Sequence, residues 1–250
     1  MVDHRTTISL VLGSGGARGL AHIGVIQWLT ENGYDIRSIS GSSMGALVGG
    51  IHAARKLDVY AEWVSTLERR QMLRLLDPAF GRAGLFKGER IIGVLREMIG
   101  DCEIEGLPVA YTAVAADLVS GEEVWLREGM LFDAIRASIA APPIFTPFEL
   151  GGRMLRDGAW VNPVPIGPTL NDTTDLIVAV SLSGFIALTS SPFPSARIPH
   201  VLVEVPRNAC GAHEFWRAEE LIALGRERTA QAFATPGPKT ANDPRCLANA

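Results

Sequence analysis

Cysteine is scarce in this chain, and its scarcity removes two architectures at once. Only Cys102, Cys210 and Cys246 are present, an odd number with no C-x-x-C spacing. Neither a disulfide framework nor a cysteine zinc site fits that pattern, whereas a reducing cytosol does. An excess of one charge is missing as well. The formal net charge is −4, with both signs spread along the chain, which denies a nucleic-acid binder the basic face it needs. Long apolar runs are absent too. The longest, Leu176 to Leu188, is interrupted by Ser181, Ser183 and Gly184 and falls short of the roughly 20 residues of a spanning helix. Met1 to Arg5 lead straight into a strand, without a signal-peptide pattern. The expectation is a cytoplasmic protein, peripheral at a membrane at most. No internal repeat and no metal or cofactor motif is visible.

What is present suits one large α/β domain. The 250 residues are 47% apolar, enough for a full core at that length. Thr6 to Leu12 reads as a buried strand, and Leu20 to Asn32 as an amphipathic helix closed by Gly33. Ile36 to Ser40 reads as a second strand and Met44 to Ala54 as a glycine- and alanine-rich helix. A right-handed crossover makes the two strands parallel neighbours, so the loops after them emerge side by side. Helices are expected over 58–70, 88–99, 130–140 and 214–234, and an apolar irregular stretch over 72–87. Strands are expected over 108–117 and 122–127, joined through Ser120-Gly121, then a hairpin over 148–155 turning at Gly151-Gly152. Core strands follow over 176–182 and 201–205. Residues 236–250 read as a polar, disordered tail.

Three short motifs carry the chemistry. Gly41-Ser42-Ser43-Met44-Gly45 matches G-x-S-x-G between a strand and a helix. A serine at such a turn projects its hydroxyl out of the backbone, and the flanking Gly41 and Gly45 let the chain crowd together. The second motif is the glycine-rich loop Gly13 to Gly19. As a dinucleotide fingerprint it has Gly13 and Gly15 but Arg18 where Gly or Ala is required, and no acidic residue ends the second strand. No nucleotide is therefore expected. As an anion loop, the amides of Gly15, Gly16, Ala17 and Arg18 form a nest, which beside Ser43 would be an oxyanion hole. The third motif, Asp157-Gly158-Ala159, directly follows a hairpin; it is either an ordinary turn or an aspartate placed where backbone or substrate comes close. The order Ser43, Asp157, His213 would suit an α/β-hydrolase triad, but there the serine follows several strands rather than two. Five histidines are present, His4, His22, His52, His200 and His213, of which His22, His52 and His213 read as packing or surface residues.

Together these motifs resemble the patatin-like phospholipase family, in particular its bacterial single-domain members. The likeness extends over residues 6 to 235. Gly15 to Gly19 match its anion loop, Gly41 to Gly45 its serine motif and Asp157-Gly158-Ala159 its D-G-A/G motif. Asp77-Pro78 with Gly81 to Leu85, and Arg136 to Pro147, resemble two further family stretches. Ser14 stands where many members have glycine, and the stretch from Ser183 to His200 is shorter than in many of them. The resemblance implies a three-layer α/β sandwich, a mostly parallel sheet with helices on both faces. It implies a serine acyl hydrolase of lipid esters, with no cofactor or metal. Ser43 would be the nucleophile and Asp157 the base, without a histidine; Gly15, Gly16, Ala17 and Arg18 would form the oxyanion hole, and the Arg18 guanidinium would add field or brace the loop. Gly41, Gly45 and Gly158 would support the motifs. Such a dyad should show no acid limb at an imidazole pKa of about 6.5. The alternatives are a regulatory or lipid-binding protein of the same fold without useful turnover, and a short-ester or thioester hydrolase. The apolar stretch Leu73 to Phe86, Phe80 and Leu85 included, is either a lid that meets a membrane surface or core packing.

Overall fold

The computed structural model of the protein describes residues 5–79, 84–182 and 199–234. The order of its main elements is β1 (Thr7–Leu12), α1 (Ala21–Glu31), β2 (Asp35–Ser42), α2 (Met44–Ala53), α3 (Leu57–Ser65), α4 (Arg69–Arg74), α5 (Glu89–Ile99), β3 (Ala110–Asp117), β4 (Glu123–Leu126), α6 (Leu131–Ser138), β5 (Phe148–Leu150), β6 (Arg153–Asp157), β7 (Leu176–Ser181), β8 (Val201–Glu204) and α7 (Ala218–Ala234). The strands form one sheet. Its parallel centre runs β3-β2-β1-β7-β8, and β4, β5 and β6 join antiparallel at the β3 side.

Side chains alternate across the strands, so the sheet has two faces with different covers. Leu10 and Leu12 of β1, Ile39 of β2, Tyr111 and Ala113 of β3 and Val178 and Val180 of β7 enter the large core that the helices close. Val11, Ile177 and Ala179 point the other way and pack beneath Val164 and Ile166. The described cover of this second face is the segment after β6, with 3-10 turns at Gly158–Trp160 and Gly167–Thr169. The fold is thus a mixed α/β one, a central sheet flanked by helices. α1 and α7 cross closely, because a side chain at Gly24 would overlap the Ile222 carbonyl and one at Gly225 the Ala21 carbonyl.

Most elements lie where periodicity puts them, and the differences are local. The helix expected over 58–70 stops at Ser65, and a short α4 occupies part of the stretch expected to be irregular. Met72 and Leu75 pack on the core, while Leu73 and Leu85 are exposed. Phe80 to Ala83, most of the Ser183–His200 stretch and the tail over 236–250 lie outside the described residues. The Asp77 carboxylate accepts the amides of Gly88, Glu89 and Arg90 at the start of α5, capping that helix from eleven residues upstream. The β5–β6 hairpin turns on Gly151 and Gly152, both at positive φ, as a two-residue loop of matching twist requires.

One feature of the sheet builds the site. Ala113 and Val114 of β3 pair with Gly41 and Ser42 of β2 on one edge and with Leu126 and Trp125 of β4 on the other. Farther along, Ala115 and Ala116 keep β4 on that second edge, so their pairing with Asp157 and Arg156 places β6 on the edge that β2 has just left. β2 running forward and β6 running backward therefore meet end to end beside β3. The last residue of one is Ser42 and of the other Asp157.

Candidate active site

Ser43 sits where β2 turns into α2. Its φ of 56° and ψ of −122° lie in a region that L-residues with a side chain avoid, and such strain persists only where the surroundings hold it. The holding contacts are glycine contacts. A Cβ at Gly41 would overlap the Gly45 backbone, and one at Gly45 would overlap the Leu12 carbonyl. β1, β2 and α2 therefore close to backbone contact around the turn. The Ser43 amide donates to Ser138 Oγ (2.9 Å), and the Ser138 hydroxyl donates to the Val114 carbonyl (2.6 Å). Ser43 itself is only half-buried among buried neighbours.

The Ser43 hydroxyl donates to Asp157 Oδ2 at 2.6 Å. The other carboxylate oxygen, Oδ1, accepts the Ala159 amide at 2.8 Å. The Asp157 amide donates to the Ala140 carbonyl at 2.7 Å, so backbone as well as side chain is held. Gly158 has to be glycine: a Cβ there would overlap the Val114 carbonyl and lie 2.7 Å from Ser42 Oγ. Asp157 is 4% exposed. Burial lifts its pKa from 3.8 to about 6, against the opposing pull of the hydrogen bonds from Ser43 and Ala159. A carboxylate with a pKa near neutrality is ionised at pH 7 and still basic enough to take a proton. That value also changes the meaning of an acid limb near pH 6. The limb belongs to a buried aspartate as readily as to an imidazole, so only substitution separates the two.

The glycine-rich loop lies against the same turn. A side chain at Gly19 would overlap Met44, and one at Gly45 would come within 2.9 Å of the Gly13 carbonyl. Its four candidate donors are not equivalent. The Ala17 amide donates to the Ala212 carbonyl at 2.8 Å, so the nest of four expected from the sequence is reduced. Residues Gly16 to Leu20 form a 3-10 turn, and Gly15 and Gly16 stand at its start, where the first amides of a helical turn lack a partner within it. Of the two roles open to the Arg18 guanidinium, its contacts favour bracing: Nη1 donates to the Arg207 carbonyl at 2.9 Å and reaches the Cys210 carbonyl at 3.5 Å.

The described histidines are engaged elsewhere. His22 Nε2 contacts the Gly13 carbonyl at 2.7 Å, and burial pushes its pKa down to about 4. His52 is also lowered to about 4, by burial first and the Arg55 charge second. His200 Nδ1 accepts the Ile177 amide, and the His213 ring meets Trp216 edge-on. His4 lies outside the described residues. Among the described residues, no group of three His, Cys, Asp or Glu side chains could hold a metal ion. The sequence did not point individually to Ser138, Ala140 or Ala212. Ser138 and Ala140 fall in the stretch Arg136 to Pro147, but their contacts are made to residues far away in the chain, and spacing carries no record of them.

The model of the patatin-like phospholipase family matches residues 10–170. An uncharacterised NTE-family protein of Mycobacterium tuberculosis is 53% identical over 177 residues, which are 71% of this chain and 49% of that relative. A patatin-like phospholipase domain-containing protein of Caenorhabditis elegans is 35% identical over 63% of this chain and 12% of its own length. The neuropathy target esterase sws of Drosophila persimilis is 32% identical over 64% of this chain and 12% of its own. The chain thus spans about half the length of its mycobacterial relative or less of the others. In fold it is similar to VipD of Legionella pneumophila, with a TM-score of 0.55 at 12% identity, over 93% of this chain and 67% of that one. No helix among the described residues is long and apolar enough to cross a membrane. A strand-to-helix serine, an aspartate in hydrogen-bond contact with it and a match over 161 of 250 residues lead to one assignment: the chain belongs to the patatin-like phospholipase family.

Proposed function

We propose that this member of a lipid hydrolase family cleaves carboxylic esters of phospholipids or lysophospholipids through an acyl-enzyme, with Ser43 and Asp157 as a dyad. The observation that carries the reading is the 2.6 Å hydrogen bond from Ser43 Oγ to Asp157 Oδ2 at a strained turn. In the first step the Ser43 hydroxyl proton passes to Asp157 as Oγ bonds to the ester carbonyl carbon. The carbonyl becomes an oxyanion beside the Gly15 and Gly16 amides, with the Arg18 guanidinium bracing the loop from outside. Collapse of that intermediate breaks the bond to the alcohol, which leaves with the proton from Asp157. Asp157, again ionised, then takes a proton from water as the water oxygen attacks the acyl-enzyme, and returns it to Ser43 Oγ as the fatty acid departs. A raised pKa suits both halves of this exchange.

The hydrolase unit is residues 6–235, working in the cytoplasm without cofactor, metal or nucleotide. It meets its amphiphilic substrate at a membrane surface through exposed apolar side chains. Leu85 and Ile144, 63% and 51% exposed, are neighbours, since the Leu85 amide donates to the Pro143 carbonyl and the Phe86 amide to that of Ile144. The test is covalent labelling. A fluorophosphonate should modify the peptide carrying Gly41 to Gly45, and Ser43→Ala should lose both labelling and hydrolysis of graded p-nitrophenyl esters and lysophospholipids. Full labelling of Ser43→Ala would remove the nucleophile assignment. A wild-type protein that neither labels nor hydrolyses would favour a binding or regulatory role.

A further inference from the structure

The dyad is held by a third element that contributes no reacting atom. α6 ends at Ser138, and Ser138 to Ala140 reach both members. The Ser138 hydroxyl accepts the Ser43 amide at 2.9 Å and donates to the Val114 carbonyl at 2.6 Å. Two residues on, the Ala140 carbonyl accepts the Asp157 amide at 2.7 Å. Ser43 and Asp157 are 114 residues apart, and they stand at the ends of two strands that run toward each other without pairing. β3 aligns those ends along its edge, but a ladder leaves the turning residue beyond its last bond free. Val114 pairs with Ser42, and a side chain at Gly158 would overlap the Val114 carbonyl. Ser138 thus ties the Ser43 amide to the carbonyl of a β3 residue that pairs with Ser42 and lies close against Gly158.

We infer that Ser138 is a positioning residue for the hydrolytic reaction, fixing the strained Ser43 turn at hydrogen-bond distance from Asp157 while Ala140 fixes the aspartate from the same helix end. This inference rests on the dyad reading above. Ser138 is fully buried, and it uses its hydroxyl as donor and acceptor at once, so its removal leaves an amide and a carbonyl without that partner. α6 is itself anchored. Arg136, 1% exposed, donates through its guanidinium to the Lys87 carbonyl, to the Thr146 carbonyl and hydroxyl, and to Glu89. The helix end is therefore a rigid support rather than a mobile arm.

The experiment compares Ser138→Ala and Ser138→Thr with the wild-type enzyme by active-site titration with a fluorophosphonate, followed by kcat and KM on a soluble p-nitrophenyl ester. Loss of geometry at the nucleophile should lower kcat per titrated site by roughly 10- to 100-fold, with KM within about twofold, and threonine should recover activity to within a few-fold because it keeps the hydroxyl. A merely structural role would reduce the number of titratable sites and leave kcat per site unchanged, and that result would overturn the proposal. Should the threonine variant fail to fold, kcat per site of the alanine variant still decides. Failure of the dyad reading looks different: Ser43→Ala would then keep its labelling or Asp157→Asn its hydrolysis, whatever Ser138 does.

Discussion

Replacing Asp157 with asparagine should make this protein more stable and far less active, and both effects come from one buried charge. The carboxylate is 4% exposed, and its pKa rises from 3.8 to about 6 on folding. The folded state therefore holds the proton more tightly than the unfolded state. Below pH 3.8 both states are protonated and the group contributes nothing. As pH rises through the window from 3.8 to about 6 the unfolded chain ionises first, and stability falls. Above that window the loss is constant: about two pKa units at 1.36 kcal/mol each, or about 3 kcal/mol. Asparagine does not ionise. Its Oδ1 can keep the Ala159 amide, and its Nδ2 can donate to Ser43 Oγ, so no buried group is stranded. At pH 8 Asp157→Asn should then be up to about 3 kcal/mol more stable, a rise of roughly 6–12 °C in Tm for a chain of this size. Urea melts of both proteins from pH 4.5 to 8 should show the advantage growing with pH and levelling off above about 6. Hydrolysis should fall by about 10² or more, the typical contribution of a positioned base. A variant that is equally or less stable at pH 8, or an advantage independent of pH, would refute the burial argument. Retained hydrolysis would refute the assignment of the base.

Three further outcomes are expected. Alanine at His22, His52, His200 or His213 should leave an acid limb near pH 6 in kcat/KM, because that limb belongs to Asp157; for His200 and His213 turnover should also stay within a few-fold. A limb abolished by one histidine replacement in a folded protein would point to a triad instead. Gly16→Val places a β-branched residue at φ +57°, with its Cβ 2.6 Å from the Ala212 carbonyl; the loop should be displaced and turnover reduced by about 10² if one oxyanion donor is lost, while calorimetry detects no NAD or ATP binding. Serine at Leu85 and Ile144 together should weaken co-sedimentation with phospholipid vesicles at unchanged Tm, whereas unchanged binding would place the membrane contact elsewhere.

Local chemistry decided a good deal of this molecule before any folding. The β-branched and aliphatic run Thr7 to Leu12, the small residues around Ser43 and the Gly151-Gly152 pair act within a few residues, through sterics and φ/ψ preference, and each forms the element its pattern predicts. The short break between α3 and α4 at Thr66 to Glu68 was not legible, since no glycine or proline marks it. What the residues around Asp157 could not decide alone was whether it is a turn or a partner of Ser43. That followed from β3, which pairs with β2 for part of its edge and with β6 for the rest, and pairing between strands so distant in sequence is a property of the whole sheet. The same holds for the amide of Ala17, directed to Ala212, and for Arg18, directed to the carbonyls of Arg207 and Cys210. It holds also for the pKa of Asp157, because desolvation is set by everything packed around a group. Sequence determines which groups are available and how the chain bends near them; only the closed tertiary structure determines which of them meet and how much water is left between them.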